Sequence, residues 1–181
     1  MRIVGGKHKG RALKAPDGRV ARPTADRARE SLFNILAHSE WVDLDGAHVV
    51  DCFAGSGGLG LEALSRGAAS VTFVENHPSS LAAIRANLDL LKERADIIRA
   101  DATRLPPAKA QCDLALVDAP YQKDLSAPCV TALAAGNWLR DGALVVVEVA
   151  AKEDFLPPAG FEVVDSRVYG AAKLILLLYR A

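Results

Sequence analysis

The chain lacks paired cysteines, long apolar runs and low-complexity stretches, and each lack removes a class of protein. Its cysteines, Cys52, Cys112 and Cys129, are odd in number, widely spaced and without a C-x-x-C pair. That pattern argues against a disulfide framework and a zinc site, and it predicts reduced core thiols. His8, His38, His48 and His77 show no ligand or triad spacing either, so no metal is expected. No stretch approaches the roughly 18 uninterrupted apolar residues that cross a bilayer, and the start, MRIVGGKHKGR, lacks the apolar run of a signal peptide. A cytoplasmic protein with no membrane contact is expected. Nine prolines and fourteen glycines among 181 residues are too few for low complexity, and 50% hydrophobic with 24% charged residues suits one globular domain, with room for a short appendage.

The overall charge of zero hides an uneven distribution. Residues 1–30 hold nine basic side chains, Arg2, Lys7, Lys9, Arg11, Lys14, Arg19, Arg22, Arg27 and Arg29, against Asp17, Asp26 and Glu30, a net of +6. The other 151 residues carry −6. Such asymmetry suggests a basic arm for an anionic polymer on a mildly acidic body, the alternative being an unspecific solvated tail.

Residues 1–23 alternate short apolar pieces with Gly5-Gly6, Gly10, Pro16-Asp17-Gly18 and Pro23, which reads as a hairpin and loop extending a domain over 24–181. Thr24 is placed to cap an amphipathic helix carrying Ala28, Leu32, Ile35 and Leu36. Strands are expected at 48–53, 70–75, 95–101, 112–118, 143–150, 161–169 and 172–180, with helices at about 58–66, 78–93 and 126–139. Apolar strands separated by crossover helices indicate an α/β fold with a mainly parallel sheet covered on both faces. The last two strands have no helix between them and are expected as an antiparallel pair at one edge.

Val49-Val50-Asp51-Cys52-Phe53-Ala54-Gly55-Ser56-Gly57-Gly58-Leu59-Gly60 runs from an apolar strand through a Gly-x-Gly-x-x-Gly turn into a helix. Such a turn brings a ligand against backbone N–H groups at a helix N-terminus; a tight structural turn gives the same string. Asp51 helps to choose the ligand. A carboxylate at the end of the first strand would repel a dinucleotide pyrophosphate but favours S-adenosylmethionine (SAM), which has no phosphate and carries an ammonium and a sulfonium. Glu75, ending the second strand, suits ribose hydroxyls in either cofactor. Asp101 with Ala102 offers a carboxylate and a small neighbour to an adenine, or a turn cap. At the end of the fourth strand, Asp118-Ala119-Pro120-Tyr121 combines an acid, a restricted backbone and a ring. It is suited to holding a planar amine, with carboxylate and carbonyl accepting its hydrogens and the ring stacked on the base.

These residues resemble a known family. Asp51 to Gly60 with Asp118-Ala119-Pro120-Tyr121 looks like the amino-methyltransferase pattern, and the chain over nearly its full length resembles the RsmD-type bacterial 16S rRNA guanine-N2 methyltransferases. Arg2-Ile3-Val4-Gly5-Gly6, the stretch from Arg22 to Asn34, the continuation from Leu61 to Ala68 and Tyr169-Gly170 share in the likeness, Arg22 to Asn34 being its most specific part. The resemblance implies a Rossmann-like SAM-dependent methyltransferase fold with a seven-stranded sheet whose last strand is antiparallel. It also implies transfer to the N2 amine of guanine 966 of 16S rRNA within the small ribosomal subunit, with S-adenosylhomocysteine as product. By position it implies that Asp51, Phe53, Ala54, Gly55, Ser56, Gly57 and Gly60 line the methionine end of SAM, that Glu75 takes the ribose, and that Asp101 and Ala102 take the adenine. Asp118, Pro120 and Tyr121 would hold the guanine, and Arg2, Lys7, Lys9, Arg11, Arg22, Arg27 and Arg29 the RNA. The family usually has two prolines after the acid, and Ala119 replaces the first, loosening the loop by roughly 0.4–1 kcal/mol of chain entropy. Methylation of another planar amine, an adenine or a protein glutamine, is the alternative; an NAD-dependent oxidoreductase and a non-catalytic RNA-binding module are the other classes.

Overall fold

The computed structural model describes residues 1–16, 23–121 and 123–181. The elements run α1 (Pro23–Ala37), β1 (His48–Cys52), α2 (Gly58–Ser65), β2 (Ser70–Glu75), α3 (Pro78–Leu91), β3 (Asp96–Arg99), β4 (Cys112–Val117), α4 (Ser126–Ala135), β5 (Leu139–Ala150), β6 (Phe161–Tyr169) and β7 (Ala172–Tyr179). Seven strands form one sheet in the order β3-β2-β1-β4-β5-β7-β6. β1 pairs in parallel with β2 and β4, β2 with β3 and β4 with β5, while β7 runs antiparallel between β5 and β6. The expected antiparallel pair is present, with β6 as the edge and β7 inserted beside β5. The order turns back at β1/β4, the switch point outside whose carboxyl ends ligands bind in open α/β sheets.

Side chains alternate across a strand, so the apolar runs serve two cores. On one face Val49, Phe73, Leu116 and Val146 pack with Leu32, Phe33 and Leu36 of α1, Leu61 of α2 and Ile84 of α3. On the other, Val50, Val74, Val117 and Val147 pack with Cys129, Val130 and Leu133 of α4. All three cysteines are buried free thiols, as expected.

The largest differences from expectation lie where α4 gives way to β5. α4 ends at Ala135 because Gly136 and left-handed Asn137 (φ 57°) close it, and Trp138 then turns inward, donating its indole N–H to the Pro106 carbonyl at 2.9 Å. Residues from Leu139 therefore belong to β5, which starts earlier than expected and pairs with β4 through a register shift between Cys112 and Leu114. Helix α1 already includes Pro23, so Thr24 lies within it. The turn at Asp17-Gly18 falls outside the described residues. Residues 1–13 do close on themselves, through an Arg2–Ala12 antiparallel bridge and an Ile3 N–H to Arg11 carbonyl bond of 2.9 Å. Ile3 and Leu13 lie within the first core.

Candidate functional site

The alternation that builds the first core also fixes where its strands end. Continuing from Val49, Phe73, Leu116 and Val146 by two residues gives Asp51, Glu75, Asp118 and Glu148. Four carboxylates therefore share one face, at the carboxyl ends of β1, β2, β4 and β5, around the switch point. They are not grouped as a metal site; among the described residues no three potential ligands are.

Two of the acids shape the glycine turn. Asp51 Oδ2 accepts the Gly60 N–H at 2.8 Å, and Glu75 Oε2 accepts the Gly55 N–H at 2.8 Å. The turn needs left-handed backbone at Phe53 (φ 57°), Gly55 (57°) and Gly57 (84°). For a phenylalanine that conformation is costly, and such strain concentrates at functional sites. Gly57 caps α2, and Gly60 lets the helix press on β2, since a Cβ there would lie 2.4 Å from Phe73 Cε1. A Cβ on Gly55 would meet nothing within 4 Å, so that side of the turn is open. Ser56 and Ala54 are buried, and Phe53 is half-buried.

Burial raises the Asp51 carboxyl well above its ordinary value; the Gly60 N–H opposes this, and the nearby Asp118 and Glu75 carboxylates add to it. Asp118 is pushed up to about 7, first by the protein packed around it and then by Glu148, although its side chain opens to solvent. The Tyr121 hydroxyl donates to Glu148 Oε1 at 2.5 Å, which fixes the exposed ring (41%) and, with burial, raises the hydroxyl so that it stays a neutral donor. Ala119 is buried beside exposed Pro120. Glu75 Oε1 accepts the N–H groups of Asn76 and His77, at 2.8 and 2.9 Å. Asp101 is a turn cap: Oδ1 accepts the Thr103 N–H and hydroxyl, at 2.9 and 2.7 Å, and these bonds lower its pKa. Ala102 is buried next to it.

The basic residues divide. Arg2, Lys9 and Arg27 are exposed, and so are Lys7 and Arg11, although Lys7 pairs with Glu93 at 2.6 Å and Arg11 donates to the Leu90 carbonyl at 3.1 Å. Arg22 lies outside the described residues. Arg29 must be removed from the RNA-contact set. It is 5% exposed, donates to Asp26 Oδ1 at 2.9 Å and to the Arg2 carbonyl, and lies 3.7 Å from fully buried Glu62. The sequence carried a signal for this, since positions 29, 32, 33 and 36 form the buried stripe of α1.

Two residues absent from the sequence reading also serve the site. Glu148 is the lone acid in the apolar run Ala143 to Val149, a signal that marks a strand end facing something polar. Asn87, fully buried on the apolar side of α3, accepts the Lys14 N–H at 2.7 Å and donates to the Lys14 and Ser56 carbonyls, both at 3.0 Å. It thus ties the basic arm to the glycine turn. Met1 lies on the same turn, its Sδ 2.6 Å from where a Cβ on Gly58 would stand.

Residues 1–178 match the model of a protein family described as conserved hypothetical protein 95. The chain is 40% identical over 174 residues to ribosomal RNA small subunit methyltransferase D of Escherichia coli K12, covering 94% of this chain and 85% of that one. It is 32% identical to the protein of the same name from Haemophilus influenzae, covering 94% and 89%. A solved structure of a putative methyltransferase from Escherichia coli superimposes with a TM-score of 0.84 at 34% identity, covering 100% of this chain and 98% of that one.

Proposed function

The chain belongs to the family described as conserved hypothetical protein 95, and from that membership and the four strand-end carboxylates we propose that it methylates the N2 amine of one guanine in 16S rRNA, using SAM. That it is a methyltransferase with a Rossmann-like fold follows from its relatives and structural neighbours. The choice of donor, base and atom is our reading, and one observation carries it. Asp51, Glu75, Asp118 and Glu148 project together on one face, and none of them is ion-paired to a Lys or Arg among the described residues. A donor set of this charge fits a cationic cofactor and an amine acceptor, and disfavours a pyrophosphate. The open side of Gly55 leaves space for the ligand.

In this reading Phe53, Ala54, Gly55, Ser56, Gly57 and Gly60 form the backbone cradle, which Asp51 holds from beneath. Glu75, which already accepts three N–H groups, keeps its second Oε2 lone pair for a ribose hydroxyl, and Asp101 and Ala102 flank the adenine, with only Oδ1 of Asp101 engaged in its turn. When bound, SAM supplies an electrophilic methyl group on a sulfonium. Tyr121 offers a stacking surface for the base, worth roughly 1–3 kcal/mol, with its ring set by Glu148. Asp118 and a carbonyl of the Asp118–Pro120 turn accept the two amine hydrogens and orient the nitrogen for in-line attack. As the nitrogen gains the methyl group it becomes positive, and the Asp118 carboxylate stabilises that charge and accepts the released proton. A carboxyl raised to about 7 is a stronger base than an ordinary aspartate. Arg2, Lys7, Lys9, Arg11 and Arg27 on the arm and α1 serve the phosphates, within a small-subunit particle.

Nucleoside mass spectrometry of 16S rRNA from cells lacking this chain tests the proposal. One N2-methylguanosine should vanish and return when the chain is restored. Loss of N6-methyladenosine, or unchanged rRNA with loss of a methylated protein glutamine, would move the acceptor to another planar amine.

A further inference from the structure

Asp118 and Glu148 are neighbours by construction. Val117 and Val147 are register partners at the end of the β4–β5 ladder, and the next residue on each strand turns to the opposite face, which places the two acids side by side. Glu148 uses Oε1 to hold the Tyr121 hydroxyl at 2.5 Å, and Oε2 makes no hydrogen bond among the described residues. Beside the ring on which a base would stack there are therefore two adjacent groups that, when ionised, only accept hydrogen bonds.

Planar amines differ in what stands next to the NH2 group. In adenine, cytosine and a glutamine amide the amine neighbours an acceptor, whereas in guanine it neighbours the N1–H donor. Resting on the guanine reading above, we infer that Glu148 is the specificity-determining residue, accepting guanine N1–H through Oε2 while Asp118 accepts the exocyclic amine. Adenine, cytosine or glutamine would set a lone pair against that carboxylate, so the pair selects by repulsion as well as attraction. The same carboxylate fixes Tyr121, so stacking and edge reading are set by one side chain.

2-Aminopurine keeps the N2 amine of guanine but has an unprotonated N1 and no O6 oxygen, so the change in the guanine preference on altering Glu148 reports the contact. Small subunits reconstituted with 16S rRNA carrying guanine or 2-aminopurine at the methylated position are the probes, and kcat/KM is measured for each. The wild type should favour guanine by roughly 100-fold, less than a sealed pocket gives because the edge is open to solvent. Glu148→Gln, whose amide can donate to or accept from N1, should reduce the preference to within about tenfold. Tyr121→Phe should slow both substrates and keep the preference. A Glu148→Gln variant that binds SAM normally, slows both substrates equally and keeps the wild-type ratio would overturn the inference, since a structural role predicts that result. Should that variant fail to fold, the wild-type ratio still tests the inference, because equal rates on the two bases would overturn it. Absence of methylation on guanine particles by the wild type would instead overturn the guanine reading itself.

Discussion

Replacing Asn87 by alanine tests how the basic arm and the glycine turn are joined. The side chain is fully buried and makes three hydrogen bonds, one from the Lys14 N–H at 2.7 Å and two to the carbonyls of Lys14 and Ser56 at 3.0 Å. Each is worth about 0.5–1.5 kcal/mol net, and their joint loss costs about 3 kcal/mol. In a domain of this size each kcal/mol moves the melting temperature by roughly 2–4 °C, so the variant should melt roughly 6–12 °C lower by calorimetry. One of the three bonds anchors the cofactor turn, and losing about 1 kcal/mol there should weaken SAM about fivefold by titration calorimetry. Asn87→Asp discriminates further: it keeps the acceptor for Lys14 N–H, loses both donors and points a carboxylate at two carbonyl oxygens, so it should be less stable than the alanine variant. Melting within about 2 °C of wild type for either variant, with unchanged SAM affinity, would refute the reasoning.

Asp118→Asn should cut methyl transfer by roughly 100- to 1000-fold in a single-turnover assay while SAM affinity changes far less; near-normal turnover would end its assignment. Because the Asp118 carboxyl sits at about 7, against an ordinary value near 4, the folded chain holds a proton the unfolded chain lacks between those pH values, so this group's contribution to stability falls as pH rises through that window. The ionised carboxylate is the proton acceptor, so the single-turnover rate of methyl transfer should rise with pH up to about 7 and then level, and a flat rate series from pH 5.5 to 8.5 would contradict this. Gly60→Ala would bring a Cβ 2.4 Å from Phe73 Cε1 and 2.8 Å from Val71 Cγ1, costing about 1–3 kcal/mol in denaturant unfolding and loosening the Asp51 contact. Neutralising Lys9, Arg11 and Arg27 together should lower the slope of log affinity against log salt for 16S rRNA by roughly 2–3, with SAM binding intact; an unchanged slope would remove them from the interface. Deleting residues 1–21 is the poorer test, because Ile3 and Leu13 belong to the core and the deletion would disturb the fold together with the charge.

The strand pattern was legible because apolar runs bounded by turn residues encode doubly covered strands, and the strand-end acids Asp51, Glu75 and Asp118 followed directly from it. What the sequence obscured were matters of partnership. Arg29 counts as one more positive charge until its place on the Leu32, Phe33 and Leu36 stripe is noticed; in the fold Asp26 and Glu62 take it. Glu148 lies inside an otherwise apolar strand, and only the β4–β5 register shows that it stands beside Asp118. Leu139 reads as the last residue of a helix and the strand as starting only at 143, because nothing local announces that Trp138 folds inward onto Pro106. The three-way bond of Asn87 joins residues 14, 56 and 87, a tertiary relation that local periodicity does not encode.

The most direct measurement is methyl transfer from labelled SAM to under-methylated small ribosomal subunits, beside naked 16S rRNA, followed by digestion to nucleosides. N2-methylguanosine should appear at a single site, with the ratio of the two rates identifying the true substrate. No label in either substrate, from an enzyme that binds SAM normally, would contradict the proposed function.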